Sequence, residues 1–172
     1  MPYRLIFTLL RAAGMRGGKA LALNAGDVSL APGQEGLHVR APKNRVKHVV
    51  ILGPNSTERS IRLLRHHLKT LGDVPNTHPL FCSNRATRLR YGTVLYHWGK
   101  LCAGAGLCDE AGAPRYTIHQ LRHTTATELL EEGHKIETVQ RRLGHKDIRT
   151  TMGYAEVCDA RVRADLEGGP RR

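Results

Sequence analysis

The chain has 172 residues, the size of a single domain. It carries 27 Lys and Arg against 15 Asp and Glu, which gives a formal net charge of +12 with histidine neutral. This excess predicts a polyanionic partner, nucleic acid first and an acidic membrane surface second. Aromatic residues make up only 5% of the chain, which argues against binding by stacking on several unpaired bases.

The apolar runs and the cysteines indicate whether the chain is expected to be membrane-bound, secreted or cytoplasmic. No apolar run approaches the roughly 20 residues of a transmembrane helix, and the first 16 residues lack the pattern of a signal peptide. Cysteines stand at Cys82, Cys102, Cys108 and Cys158, with no Cys-x-x-Cys pair and no zinc spacing. We therefore expect reduced thiols, no metal site, no membrane partner and a cytoplasmic protein.

The N-terminal part predicts a helix followed by a small sheet. Leu5, Ile6, Leu9 and Leu10 have helical spacing, which predicts a helix over 3–13 that Gly14 interrupts. A short helix is predicted over 19–23. Three strands are predicted over 27–30, 37–40 and 46–52, separated by turn residues at 31–33 and 42–44. Together they read as an antiparallel meander.

The rest of the chain predicts helices. They are expected over 56–71, 91–105, 118–132, 135–143, 147–157 and 160–166, and glycines follow several of them. The predicted fold class is α+β and mainly helical, with a small three-stranded antiparallel sheet near the N-terminus followed by a helical bundle. We expect one domain over 1–167 and a loose tail over 168–172.

A candidate anion site lies at the start of the predicted helix over 118–132. Thr117 and Gln120 have the spacing of a capping box, so the helix begins at Thr117. His119 and Arg122 then share one face of its first turns. Free N–H groups at a helix start favour an anion, and an arginine adds a bidentate donor. A solvated basic helix face is the alternative interpretation.

Three more places carry candidate chemistry. In Arg141-Arg142-Leu143-Gly144-His145 the glycine suits a helix C-cap, which places His145 just beyond the helix end. Tyr154 follows on the next helix, where packing is the ordinary role of a tyrosine. Arg16 lies among glycines that permit close backbone approach, and Lys43 lies at the tip of the predicted hairpin. Each basic residue alone reads as a surface charge.

The order and spacing of these places resemble the catalytic domain of the tyrosine recombinases, the phage integrase family. The resemblance extends from about Tyr3 to Glu156. It is carried by the segments Gly14-Met15-Arg16, Lys43, His119-Gln120-Leu121-Arg122-His123-Thr124, Leu143-Gly144-His145 and Thr150-Thr151-Met152-Gly153-Tyr154.

The resemblance implies DNA strand cleavage and rejoining. In that family a tyrosine attacks the scissile phosphate and forms a 3′-phosphotyrosine, and a 5′-hydroxyl later reseals the strand. The added charge of the transition state requires preorganised cations and no cofactor. The implied roles are nucleophile for Tyr154, phosphate clamp for Arg16 and Arg122, hydrogen-bond donors for His119 and His145, and general acid for Lys43.

The same resemblance implies double-stranded DNA as the partner and a nucleoid-associated protein. Expected DNA contacts are Arg16, Lys43, Lys47, Arg122, His123, Arg141, Arg142 and Lys146. The family also assembles as tetramers on DNA through a C-terminal segment. Here that contact would come from Ala155, Val157, Val162 and Leu166, although packing on the chain's own core is equally consistent with the sequence.

Three departures from the family pattern bear on activity. Lys19 stands where the family usually has a glutamate, which would place a like charge near Arg16. The tip of the predicted hairpin is Pro42-Lys43-Asn44, which departs from the family's usual turn. His48 stands where the family usually has a basic residue. Lys47 is the second candidate for the general acid. The family's N-terminal clamp domain is expected to be absent, which would weaken DNA binding and make it more salt-sensitive. A separate domain or accessory protein would then complete the clamp.

Other functions remain open at this point. A type IB topoisomerase-like enzyme would use the same tyrosine and cations, although the hairpin-then-helices order and the Leu-Gly-His segment favour a recombinase. A catalytically impaired remnant that binds duplex DNA is the non-enzymatic alternative, and Lys19 supports it. A membrane-surface or RNA-binding module explains the charge but not the ordered motifs.

Overall fold

The structure is a computed structural model that describes residues 2–40, 48–52, 54–144 and 147–167, without the side chains of 54–57 and 160–167. These residues form helices and one small sheet. In chain order the elements are α1 (Pro2–Ala13), α2 (Gly17–Leu21), β1 (Val28–Ser29), β2 (Gly36–Val39), β3 (His48–Ile51), α3 (Pro54–Leu71), α4 (Tyr91–Gly104), α5 (Ile118–Glu131), α6 (Ile136–Leu143) and α7 (Arg149–Glu167).

The sheet is an antiparallel meander in the order β1-β2-β3. Leu37 lies opposite Val50 and both are buried, while Val49 on the other face is exposed. This alternation is what one buried sheet face requires. The predicted sheet and fold class are confirmed. The first strand is shorter than predicted, because a 3-10 turn over Ala25–Asp27 takes its start, and β2 begins and ends one residue earlier than predicted.

Helix α1 is fixed in the main core of the described chain. Leu5, Ile6, Leu9 and Leu10 are all at most 3% exposed, and the helix contacts α3 and α5. Fully burying one such side chain contributes about 1.5–3 kcal/mol, so α1 is a firm support for the loop that follows it. An ion pair between Arg11 and Glu128 further joins α1 to α5.

A smaller core joins the last three helices. Ala126 of α5, Val139 and Leu143 of α6, and Tyr154 of α7 pack together in it. Tyr154 therefore has the packing role that a tyrosine on an amphipathic helix ordinarily has. This core holds α7 against α5 and α6.

The main error of the sequence prediction concerns the C-terminal helices. The two helices predicted over 147–157 and 160–166 form the single helix α7, because no glycine or proline stands between Tyr154 and Glu167 to end it. Helix α2 begins at Gly17 and not at Lys19. No helix in the described ranges is both long and apolar enough to cross a bilayer. The predicted loose tail lies outside the described residues.

Candidate active site

Helix α5 presents the two predicted anion-binding side chains. Thr117 is its N-cap residue, and the Thr117 backbone N–H donates to Oε1 of Gln120 at 2.6 Å, which confirms the predicted capping box. The cap sets the phase of the helix, so His119 lies in the first turn and Arg122 one turn later. His119 is exposed, whereas Arg122 is only 2% exposed.

The Arg122 guanidinium is buried and incompletely paired. Its Nη1 donates to the Gly14 carbonyl at 2.6 Å, while its buried Nη2 has no hydrogen-bond partner among the described residues. Burial, and secondarily the nearby charge of Arg16, lowers the pKa of Arg122 to about 10, so the side chain is still a cation at neutral pH. Burying such a charge costs free energy unless an anion compensates it, so the arrangement suits an anionic ligand.

The loop between α1 and α2 carries both the Gly14 carbonyl and Arg16. Gly14 has φ +60°, and a Cβ at this position would collide with the Leu143 side chain. Only glycine therefore lets the loop pass this close to α6. Arg16 is the exposed N-cap of α2, and its charge lowers the pKa of both Arg122 and His119, which places its guanidinium near both.

Two imidazole rings lie between the helix start and the tyrosine. The rings of His119 and His123 meet edge to face at 4.9 Å, and those of His123 and Tyr154 at 5.1 Å. Partial desolvation of the ring first, and then His123, Arg122 and Arg16, lower the pKa of His119, which favours the neutral ring. Tyr154 is 9% exposed, and its phenol group lies within electrostatic range of Arg122.

Helix α6 ends as predicted but uses its two arginines differently. Gly144 is a left-handed C-cap with φ +66° and ψ +42°, which confirms that prediction. Arg141 is exposed to solvent. Arg142, by contrast, donates from Nη2 to the Ala12 carbonyl at 3.1 Å, and burial lowers its pKa. The guanidinium predicted to contact DNA at Arg142 is thus engaged within the protein.

His48, which the sequence marked only as a departure from the family, makes a contact between elements. Its Nε2 donates to the Arg142 carbonyl at 3.2 Å, so it satisfies one of the last carbonyls of α6. Its ring lies 2.9 Å from the position that a Cβ on Gly144 would take. No local pattern in the sequence predicts this contact, because His48 and Arg142 are 94 residues apart.

The end of β2 is held by two side chains that the sequence did not connect. The ammonium of Lys19 donates to the Arg40 carbonyl at 3.4 Å. The Arg40 Nε pairs with Asp27 Oδ1 at 2.9 Å. The ammonium of Lys19 thus has a carbonyl partner at the base of the hairpin.

The structure brings part of the predicted site together. The predicted residues that it gathers around one location are Arg16, His119, Arg122, His123 and Tyr154. The predicted residues outside the described ranges are Lys43, Lys47, His145 and Lys146. Among the described residues, no group of three or more His, Cys, Asp or Glu side chains could hold a metal ion. No disulfide joins the four cysteines, all of which lie in the described ranges.

The apolar face proposed for the C-terminal segment is only partly described. Val157 on α7 is 49% exposed and Ala155 is partly buried. The side chains of Val162 and Leu166 lie outside the described set. The exposed Val157 is compatible with a contact to another protomer, which stays a prediction.

Comparison with known proteins gives concordant results. The sequence profile of the phage integrase family matches residues 1–161. The chain is 30% identical over 157 residues to tyrosine recombinase XerC of Rhizobium meliloti (strain 1021), covering 91% of this chain and 46% of that protein. It is 33% identical over 156 residues to XerC of Herpetosiphon aurantiacus, covering 90% and 47%. The chain thus spans about half the length of the curated relatives it matches.

Solved structures agree with the sequence comparison. The crystal structure of XerA recombinase superposes with a TM-score of 0.74 at 29% identity, over 96% of this chain and 56% of that one. The post-cleavage complex of XerH recombinase with palindromic difH substrate gives a TM-score of 0.72 at 26% identity, over 94% and 44%. With the profile match covering most of its length, the chain belongs to the phage integrase family.

Proposed function

We propose that this chain is the catalytic domain of a tyrosine recombinase that cleaves and rejoins DNA at specific sites. The observation that carries the proposal is the Arg122 guanidinium. It is buried and protonated, it has an unpaired Nη2, and it lies within electrostatic range of Tyr154. A phosphate diester supplies the oxygens that such a group lacks, and a phenol beside it can attack the phosphorus.

The proposed first step is transfer of the phosphate to the protein. The Tyr154 phenolic oxygen bonds to phosphorus, the bond from phosphorus to the 5′-oxygen breaks, and Lys43 protonates that leaving oxygen. Arg16 and Arg122 bind the non-bridging oxygens, whose negative charge increases in the transition state. His145 completes these contacts in the proposal, as the family resemblance implies.

The phenolic proton also needs an acceptor. His119 is the imidazole of the described site with a lowered pKa, so it is neutral at pH 7 and can accept this proton or donate a hydrogen bond. The phosphotyrosine retains the energy of the broken ester, so a second 5′-hydroxyl can reverse the step without a cofactor. Strand exchange follows when that hydroxyl comes from another duplex.

Double-stranded DNA is the proposed partner. The net charge of +12 supports it, as do the exposed side chains of Arg16 and His123 at the site and of Arg141 on α6. The relative XerH was solved bound to its difH substrate. We further propose that α7 joins protomers in a tetramer on DNA. A further DNA-binding domain or accessory protein would supply the remaining contacts with the duplex.

Covalent trapping tests the proposed chemistry. Nicked, end-labelled genomic duplexes from the source organism are mixed with the chain, so that the short strand beyond the cleavage point diffuses away and the adduct accumulates. We expect label that stays on the protein through denaturation. Tyr154→Phe should abolish the adduct, whereas Tyr96→Phe, on an exposed tyrosine of α4, should not.

The trapped DNA then separates the candidate functions. Recurrence of one sequence at the adduct supports a recombinase, whereas adducts spread over all sequences would indicate topoisomerase-like nicking and closing. An adduct that survives Tyr154→Phe would place the nucleophile elsewhere. Salt-sensitive DNA binding without any adduct would overturn the enzymatic proposal and leave a DNA-binding protein.

A further inference from the structure

Two side chains of α5, one turn apart, donate hydrogen bonds to the end of α1 and the residue that follows it. Arg122 Nη1 donates to the Gly14 carbonyl at 2.6 Å, and Thr125 Oγ1 donates to the Arg11 carbonyl at 2.5 Å. The two donors are three residues apart on α5, and the two acceptors are three residues apart in the opposite order. The pair of hydrogen bonds therefore fixes the position of the end of α1 along α5.

The hydroxyl of Thr125 lies at the contact between the two helices. Thr125 is 4% exposed, and its Cγ2 lies 3.3 Å from the position that a Cβ on Gly14 would take. The hydroxyl also lies 2.9 Å from the Leu121 carbonyl of its own helix. It has one hydrogen to donate, and the shorter contact is the one to Arg11, a residue in the last turn of α1. Carbonyls in that turn have no partner within their own helix, so the hydroxyl of Thr125 supplies one.

Helix α6 holds the same short segment. Arg142 donates from Nη2 to the Ala12 carbonyl at 3.1 Å, so side chains of α5 and α6 bind three of the carbonyls between Arg11 and Gly14. Apolar burial keeps the body of α1 in the core but is non-directional, whereas a hydrogen bond has a narrow range of distances and angles. These polar contacts therefore determine where the Gly14 carbonyl lies.

We infer that Thr125 is a positioning residue for Arg122. By binding the Arg11 carbonyl, it holds the Gly14 carbonyl where Nη1 of Arg122 reaches it. The guanidinium is then fixed through Nη1, and Nη2, which has no partner among the described residues, is left for a phosphate oxygen. The inference rests on the proposed function, in which Arg122 binds the scissile phosphate. A misplacement of about 1 Å in such a group costs on the order of 100-fold in rate.

Three variants are compared with wild-type protein in single-turnover cleavage of the trapped site. Thr125→Val removes the hydroxyl and keeps a branched side chain, and Thr125→Ser keeps the hydroxyl. Thr127→Val is the matched control, because the Thr127 hydroxyl donates to carbonyls of its own helix. We expect Thr125→Val to be about 10 to 100-fold slower than wild type. Thr125→Ser should retain most of the activity, and Thr127→Val all of it.

A double-mutant cycle distinguishes positioning from a general loss of folded protein. If Thr125 acts through Arg122, Thr125→Val should cost little further cleavage in a protein that already carries Arg122→Gln. A smaller folded fraction would instead reduce cleavage by the same factor in both backgrounds. That equal loss would overturn the inference, as would a wild-type rate for Thr125→Val alone. If wild-type protein itself forms no adduct, the proposed function fails and the inference falls with it, an outcome distinct from a defect confined to the variant.

Hydrogen exchange tests the contact without requiring activity. The amides of residues 11–16 should exchange faster in Thr125→Val than in wild type, Thr125→Ser or Thr127→Val, because a bond that holds the end of α1 to α5 is lost. Unchanged exchange at these amides would show that Thr125 does not hold this segment, and would overturn the inference.

Discussion

At the scale of single residues, the proposed chemistry depends on Arg122, a buried cation that has no ion pair with a carboxylate among the described residues. Arg122→Gln should reduce cleavage by about 100 to 1,000-fold, the typical cost of removing one donor to a developing oxyanion. DNA binding should change little, since most of the affinity for a duplex comes from other phosphates. Single-turnover cleavage and a gel-shift titration measure the two effects. Arg115→Gln, at an exposed arginine before α5, is the control. Cleavage within tenfold of wild type would exclude Arg122 from the clamp.

His119 makes a separate prediction about pH. Its pKa is lowered in the folded protein, so near pH ~6.5 the unfolded chain binds more protons than the folded one. The stability associated with neutral His119 is therefore present above the unfolded pKa and is lost as pH falls. Urea midpoints at about pH 7.5 and about pH 5 should differ less in His119→Gln than in wild type. His66→Gln, on the exposed face of α3, should keep the wild-type difference. An equal drop in His119→Gln would contradict the assignment.

At the scale of elements, the loop after α1 determines how the arginines meet. Gly14→Ala must adopt a left-handed conformation that costs an L-residue roughly 1–2 kcal/mol, and its methyl group must also displace Leu143. We expect a loss of at least this size in the free energy of unfolding, measured by urea denaturation. Cleavage should fall further, because the Gly14 carbonyl orients Arg122. Gly18→Ala is the matched control, since a Cβ there meets no described atom within 4 Å. Equal stability of the two variants would remove the packing argument.

The sequence predicted those elements whose signals are local. The capping box at Thr117, the C-cap at Gly144 and the apolar face of α1 each depend on residues within one or two turns, and the structure confirms them. The separation of α7 into two helices was wrong because only a weak change in pattern, and no helix-breaking residue, suggested it.

Contacts between distant segments could not be predicted in the same way. His48 with Arg142, and Arg122 with Gly14, connect residues that only the tertiary fold brings together. For the site, the order and spacing of the motifs resembled those of the family, and this resemblance supplied the list of candidate residues. It gave neither the burial of Arg122 nor the internal hydrogen bond of Arg142.

At the scale of the whole molecule, the net charge of +12 does not reveal which cations would face the proposed DNA partner. Adjacent residues on α6 show the difference. Arg141 is exposed, whereas Arg142 donates to the Ala12 carbonyl and has a buried Nε. Each phosphate contact contributes about −0.9 to the slope of log binding constant against log salt concentration. Burial therefore predicts different effects for two substitutions that remove the same formal charge.

Arg141→Gln should make the salt slope of duplex binding shallower by about 1 and leave the urea midpoint unchanged. Arg142→Gln should leave the slope unchanged and lower the urea midpoint, because it removes the hydrogen bond that ties α6 to the end of α1. The slopes come from fluorescence anisotropy titrations of one labelled duplex over a series of salt concentrations. A shallower slope for Arg142→Gln would mean that its guanidinium leaves Ala12 when DNA binds. The hydrogen bond between α6 and α1 would then be a feature of the DNA-free protein alone. The contacts that connect His48, through Arg142, to the end of α1 would have to form differently on the duplex.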